Sequence, residues 1–281
     1  MRMGPEFGII RHMITLITAI AFGGGSFYAA HFVGDVSMVW SVVLGIAAFA
    51  VFQGVTGFFI QKKVKVDMDA VQRILLEGQK RIQQKMQRWQ MRPPSSIQAA
   101  QREIADDTRV FVKEALAQTD TLAKYRLFVP MMDRQIATAK LQLGWMIKDF
   151  KLVDELMPKA LFLDPTMSAI KMARMYMLDA DMAEIAKVYA KAVRRLRYNQ
   201  NVLLAAVWSW MQVKKGDADG AFKTLTAALK SSDNQTLKQN HEHLMNNRVT
   251  HFSNSGIGDQ WYSLQLEEPK VKMQRQRPVY R

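Results

Sequence analysis

The distribution of apolar residues changes twice along the chain. From Met13 to Phe32, 20 consecutive residues hold one ionisable group, His31, near the end of the run. Gly34-Asp35 interrupts, and Val36 to Ile60 adds 25 residues without a charge. About 20 helical residues rise roughly 30 Å, the thickness of a hydrocarbon core. A connector this short joins antiparallel neighbours, so the pattern predicts a two-helix transmembrane hairpin over 13–60. A cleavable signal would have a shorter apolar core, about 7–15 residues, with no second apolar segment following at once. A buried soluble hairpin would show a striped face, whereas Phe49 to Ile60 is apolar all round.

Past Ile60 the apolar residues recur with helical period. Met68, Val71, Leu75, Ile82, Met86 and Trp89 form a stripe between Lys, Arg and Gln, which predicts a basic amphipathic stalk helix over 61–94 continuing the second apolar helix. Gly78 lies inside the stripe. Pro93-Pro94-Ser95-Ser96 breaks it, with Ser96 placed to cap the next helix. Over 95–248 every segment reads as helix, with turns at Asp149, Asp164-Pro165, Asp179 to Asp181, Tyr198 to Asn201 and Lys215 to Asp219. After Arg248 the period dissolves, and 249–281 reads as an irregular basic tail. With 1–12 as an N-terminal extension, the chain reads as all-α.

Composition narrows the chemistry. The 281 residues include no cysteine, which excludes disulfides, thiolate metal sites and a cysteine nucleophile. Lys and Arg number 39 against 25 Asp and Glu, a net charge of +14 with pI about 9.9, so acidic partners are favoured. Arg2 and Arg11 precede the first apolar segment, Lys62, Lys63 and Lys65 follow the second, and the connector carries Asp35. Positive flanks stay inside, so both termini are expected in the cytoplasm of a protein integral to the cell's inner or plasma membrane.

An internal repeat runs through the helical region. Lys148-Asp149-Phe150, Val153, Met157 and Ala160-Leu161 are matched 68 positions later by Gly216-Asp217-Ala218, Ala221, Leu225 and Ala228-Leu229. Between them, Ala180-Asp181-Met182, Ile185, Tyr189 and Ala192-Val193 stand at offsets of 32 and 36. Two helices per period of about 34 residues is the spacing of a helical solenoid. These positions resemble the tetratricopeptide repeat (TPR) family, whose second helix follows a tight Gly/Asp turn and carries a small, then a large apolar residue, then alanine. Pro165 matches the family's closing proline, and Ala173 with Tyr176 its first-helix pattern. Ser209 is small where expected, whereas Leu141 departs. The resemblance covers Arg134 to Gln235, about a third of the chain. It implies a cytoplasmic TPR-like α-solenoid, capped by helices near Ile97 to Leu127 and Gln235 to Asn247. It also implies a concave partner-binding face carrying Gln142, Trp145, Arg174, Trp210 and Lys214, a mixed aromatic and basic surface suited to an acidic peptide.

Other candidates carry less chemistry. His241, His243 and His251 with Glu242 do not follow the His-Glu-x-x-His order, and a His-x-His pair points to different helix faces, so no metal is expected. Asp106-Asp107 and Asp179 with Asp181 stand at turn or exposed-helix positions and read as structural. Gly23-Gly24-Gly25 lies in an apolar segment without a following Lys-Ser/Thr, unlike a phosphate loop. No catalytic constellation or cofactor motif emerges. Lys270, Lys272, Arg275, Arg277 and Arg281 have no acid among the last 13 residues. The expectation is therefore a membrane-anchored adaptor or scaffold that recruits a protein partner. Anionic-lipid or nucleic-acid binding through the stalk and tail is the alternative, with nucleic acid the less favoured partner.

Overall fold

The computed structural model describes residues 14–92, 94–129, 131–197 and 200–269. The Arg2 and Arg11 flank and the basic residues from Lys270 onward lie outside the described residues. Among those described, every regular element is helical. The chain divides into two compact units, 1–161 and 162–281.

The first unit opens with α1 (Ile14–Tyr28), which ends in a π-helical turn, Ala29–Val33. α2 (Met38–Met91) then runs unbroken for 54 residues, about 80 Å of rise. Both are long and apolar enough to cross a membrane. Their apolar side chains stand outward on all sides, Trp40, Ile46, Val51 and Phe58 among them. The helices touch along small residues: a Cβ on Gly23 would come within 2.9 Å of the Gly45 carbonyl, and one on Gly45 within 3.0 Å of the Gly23 carbonyl. Phe22 stacks on Phe52 beside this contact.

The second half of α2 behaves differently. Its stripe of Val71, Ile74, Leu75 and Ile82 is covered by Phe111, Val112 and Ala115 of α3 (Ile97–Asp120), together with Leu143 of α4 (Met132–Met146). Gly78 makes room for the Phe111 ring, because a Cβ there would lie 2.3 Å from it. The glycine inside the stripe is thus a packing requirement. Ser96 caps α3, its hydroxyl accepting from the Ala99 amide at 3.1 Å. A 3-10 segment, Thr121–Tyr125, follows α3. Leu122 and Tyr125 from it, with Met132 and Ile136, pack on Ile60, Val64 and Met68 of α2. Tyr125 donates to Asp67 at 2.9 Å, and Lys124 pairs with the same carboxylate at 2.8 Å. α5 (Phe150–Leu156) closes the unit and is only seven residues long. Met157 and Ala160 therefore lie in the turn beyond it rather than on its face.

The second unit contains α6 (Pro165–Met177), α7 (Met182–Val193), α8 (Val202–Lys214), α9 (Ala218–Leu229) and α10 (Gln235–Met245). α6 packs on both α7 and α8, and α9 on both α8 and α10. Its core draws on Ala173, Ile185, Ala205, Ala206, Ala221 and Leu225, all fully buried. The same helix ending recurs in α4, α6 and α8. Lys148, Asp179 and Gly216 adopt positive φ of 58°, 53° and 85°. The following amides, of Asp149, Ala180 and Asp217, reach back to the carbonyls of Gly144, Met175 and Gln212 at 2.8–3.0 Å. This is the Schellman closure. Asp149, Asp181 and Asp217 then cap α5, α7 and α9 through their carboxylates. One chain reversal is built three times from local hydrogen bonding.

The stretch after Arg248 differs from the loose tail that its sequence suggests. Through residue 269 it folds as short 3-10 turns and α11 (Asp259–Tyr262), and Asn254, Trp261 and Leu264 are fully buried. The buried Asn254 is paired on both sides: it donates to the Ala206 carbonyl at 2.9 Å and accepts from Asn240 at 2.8 Å.

Two outcomes follow. An L-residue in the left-handed region is strained by about 1 kcal/mol where glycine is not. Lys148→Gly should therefore raise stability by about that amount, and Gly216→Ala, which meets no neighbouring atom, should lower it similarly; thermal unfolding in detergent measures both. Separately, the bond from Lys124 holds the Asp67 carboxyl below its ordinary 3.8, against the opposing effect of desolvation. A lowered acid stabilises the fold above that ordinary value and loses its contribution as pH falls toward the folded value. Melting temperature followed from pH about 5 to 2 should drop less steeply in Asp67→Asn than in the native chain.

Candidate interaction surfaces

The residues expected on a partner-binding face occupy different environments. In the first unit Gln142 is exposed, but the adjacent turn of α4 places Trp145 inside, 2% exposed. Its ring stands edge-on to Phe150 of α5 at 5.6 Å. It serves the α4–α5 contact and presents almost no surface to a ligand. In the second unit Arg174 is half-buried on α6, and Trp210 is 6% exposed on α8. Lys214, one turn further, is exposed and lies over the Trp210 ring at 5.3 Å. Both tryptophans expected on the partner-binding face lie largely buried.

Trp210 is covered by two elements of its own unit. Tyr176 of α6 meets it edge-on at 5.4 Å, and Trp261 of α11 meets it at 5.7 Å. The carboxylate of Glu267 joins the two indoles: Trp210 Nε1 donates to one oxygen at 2.8 Å and Trp261 Nε1 to the other at 2.9 Å. Above this group Lys215 approaches the Tyr176 ring at 5.7 Å and pairs with Asp179 at 2.8 Å. Their bond raises the Lys215 ammonium and lowers the Asp179 carboxyl from their ordinary values. Both groups are solvated, so the pair contributes little stability. The chain thus lays an acidic segment along α8, from Asn254 beside Ala206 to Glu267 beside Trp210. Sequence reasoning passed over Trp261 and Glu267; an isolated tryptophan in a polar, glycine-bearing stretch is the one signal that could have found them.

A second concave region lies between α2 and α3 in the first unit. This cleft of about 380 Å³ is lined by Arg81, Lys85 and Arg88 together with Asp107, Glu114 and the Gly78–Phe111 contact. Lys85 bonds Glu103 at 2.8 Å and also Asp107, which raises its titration point. The cleft is a mixed-charge surface. Of the apolar stripe of the stalk, Val71, Leu75 and Ile82 lie beneath α3, while Met86 stays exposed.

The histidines are held by neighbours. His241 stacks on Phe222 at 4.5 Å and bonds Thr226 at 3.0 Å, while His243 and His251 lie 5.6 Å apart, ring to ring. Among the described residues no three of His, Asp and Glu converge as metal ligands. Comparison with protein-family models, curated proteins and solved structures finds no match.

Glu267→Ala would leave two largely buried indole N–H groups without their charged acceptor, at a cost of about 2 kcal/mol. Thermal unfolding should show that loss, with a smaller one for Glu267→Gln, which keeps one acceptor oxygen.

Proposed function

We propose that this chain is a membrane-anchored, TPR-like adaptor that recruits a protein partner carrying an acidic, aromatic segment. In this reading α1 and α2 form a transmembrane hairpin with both termini in the cytoplasm, because Lys62, Lys63 and Lys65 follow the apolar run and Asp35 lies in its turn. The three Schellman-and-aspartate turns are the repeat punctuation of a TPR-like solenoid. Its scaffold role rests on the first-helix face of the second unit.

The observation that carries the proposal is the Glu267 carboxylate held between two indoles beneath Lys214 and Lys215. The face already holds an acidic aromatic segment, supplied in cis, which supports a partner of that chemistry. A partner of the same character would engage the exposed lysine edge around Trp210, with Arg174 on the neighbouring helix. The five basic residues from Lys270 onward support the alternative of lipid or nucleic-acid binding.

A fluorescent acidic peptide containing Trp and Glu, titrated into the full chain in detergent, tests the reading. Lys214→Glu with Arg174→Ala should weaken peptide binding by tenfold or more, about 1.4 kcal/mol, with helicity unchanged. Removal of residues 270–281 should leave it intact. Binding indifferent to the groove substitutions but lost with the terminal basic residues overturns the adaptor and favours the alternative. Reporters fused to each terminus test topology, and either one found outside the cytoplasm defeats the hairpin.

A further inference from the structure

We infer that the turn carrying Leu127, Phe128 and Val129, which follows the 3-10 segment after α3, is a second membrane contact whose Phe128 side chain enters the boundary between lipid headgroups and acyl chains. The inference rests on the membrane reading of α1 and α2 given above and adds a contact made by the helical domain itself.

Position along α2 carries the argument. Phe128 and Val129 share a cleft of about 270 Å³ with Gln53, Thr56, Gly57, Ile60 and Gln61. Counted from Met38, the start of α2, about 20 residues fill a hydrocarbon core and end at Gly57. The turn therefore lies level with the end of the span. Gln53 precedes Lys62 by more than two helical turns, about 13 Å of rise, so the turn reaches below the plane marked by that lysine.

The side chains suit this depth. Phe128 is 39% exposed and Met131, just beyond, is 49% exposed. At the same level of α2, Val55, Phe58 and Phe59 are also exposed, on the sides of the helix that the turn does not cover, so apolar surface surrounds the helix where the turn packs on it. Lys62, Lys63 and Lys65 are exposed at the adjoining level, where phosphate headgroups would meet them. Aromatic side chains flanked by lysines are what the interfacial zone of a bilayer accepts. The turn is also held in place. The Phe128 and Val129 amides both donate to the Tyr125 carbonyl, at 3.0 and 2.9 Å, and Tyr125 is fixed to Asp67 of α2 through its hydroxyl. Phe128 thus reaches the interface without a separate cost of ordering the turn. The occupant of this surface is lipid. A protein partner would have to cover lysines and apolar side chains at the level of the headgroups.

The chain has no cysteine, so single-cysteine probes can be placed without altering other residues. Phe128→Cys, Val55→Cys within the span and Val110→Cys on α3, each labelled with an environment-sensitive nitrobenzoxadiazole dye, are compared in the full chain. Vesicles of phosphatidylcholine with phosphatidylglycerol provide the bilayer. Val110 is exposed beside Phe111, which packs on Gly78, about 27 Å of helix rise beyond Ile60, and serves as the aqueous reference. The expected result is blue-shifted emission at Phe128, quenched by lipids bearing a shallow nitroxide and protected from iodide, while the Val110 probe shows the reverse. A Phe128 probe open to iodide, with Val55 quenched by lipid, overturns the interfacial turn and leaves the span standing. Protection from both quenchers means that protein covers the site and likewise overturns it. Iodide access at Val55 defeats the membrane reading itself, and the turn with it. Met131→Cys repeats the measurement should Phe128→Cys lose its helicity.

Discussion

The first unit depends on one long helix whose surroundings change while its backbone does not. Up to Ile60 most side chains of α2 are apolar and many stand exposed; beyond it the apolar residues form a stripe, of which Val71, Ile74, Leu75 and Ile82 pack beneath α3. No break in hydrogen bonding marks the change, so α2 carries position rigidly from one regime to the other. Gly78 fixes how closely α3 can lie. A side chain there would meet the Phe111 ring, and the spacing it permits sets the 3-10 segment against Val64 and Met68. The Asp67–Tyr125–Lys124 group then locks that segment close to the end of the apolar run.

The second unit is organised by repetition of small local structures rather than by one long element. Each reversal after α6 and α8 spends a left-handed residue, two backbone bonds and an aspartate cap. These bonds satisfy groups that a helix end would otherwise leave unpaired. Small buried residues, Ala173, Ala205, Ala206 and Ala221 among them, allow the helices to approach. The aromatic residues then fill what remains, and Trp210 is reached from three directions. Its only polar atom needs a partner once covered, and Glu267 supplies one for it and for Trp261 together. That economy links packing to the proposed function, because a carboxylate held by two donors is recognition chemistry as well as structural chemistry.

The limits of the sequence are clearest where identity and burial part company. Trp145 and Trp210 have the residue type expected of a binding surface, and their spacing within the repeats is legible. Their exposure is not, because each ring is covered by residues from another element. Met157 and Ala160 show the same limit from the other side, since α5 stops at Leu156 before the repeat pattern is complete.

What the sequence by itself determined is what depends on neighbours within about one helical turn. The two apolar runs, the stripe on the stalk, the Ser96 cap and the aspartate turns all follow from three- and four-residue spacing and from side chains bonding amides two or three positions away. Tertiary structure alone decided the fate of residues 249–269. Asn254 finds its acceptor 48 positions earlier and Trp210 finds Glu267 57 positions later. A polar stretch without period reads as irregular because nothing local can bury it. Part of it becomes core when distant groups pair with Asn254 and Glu267, and that pairing exists only once the helices have assembled.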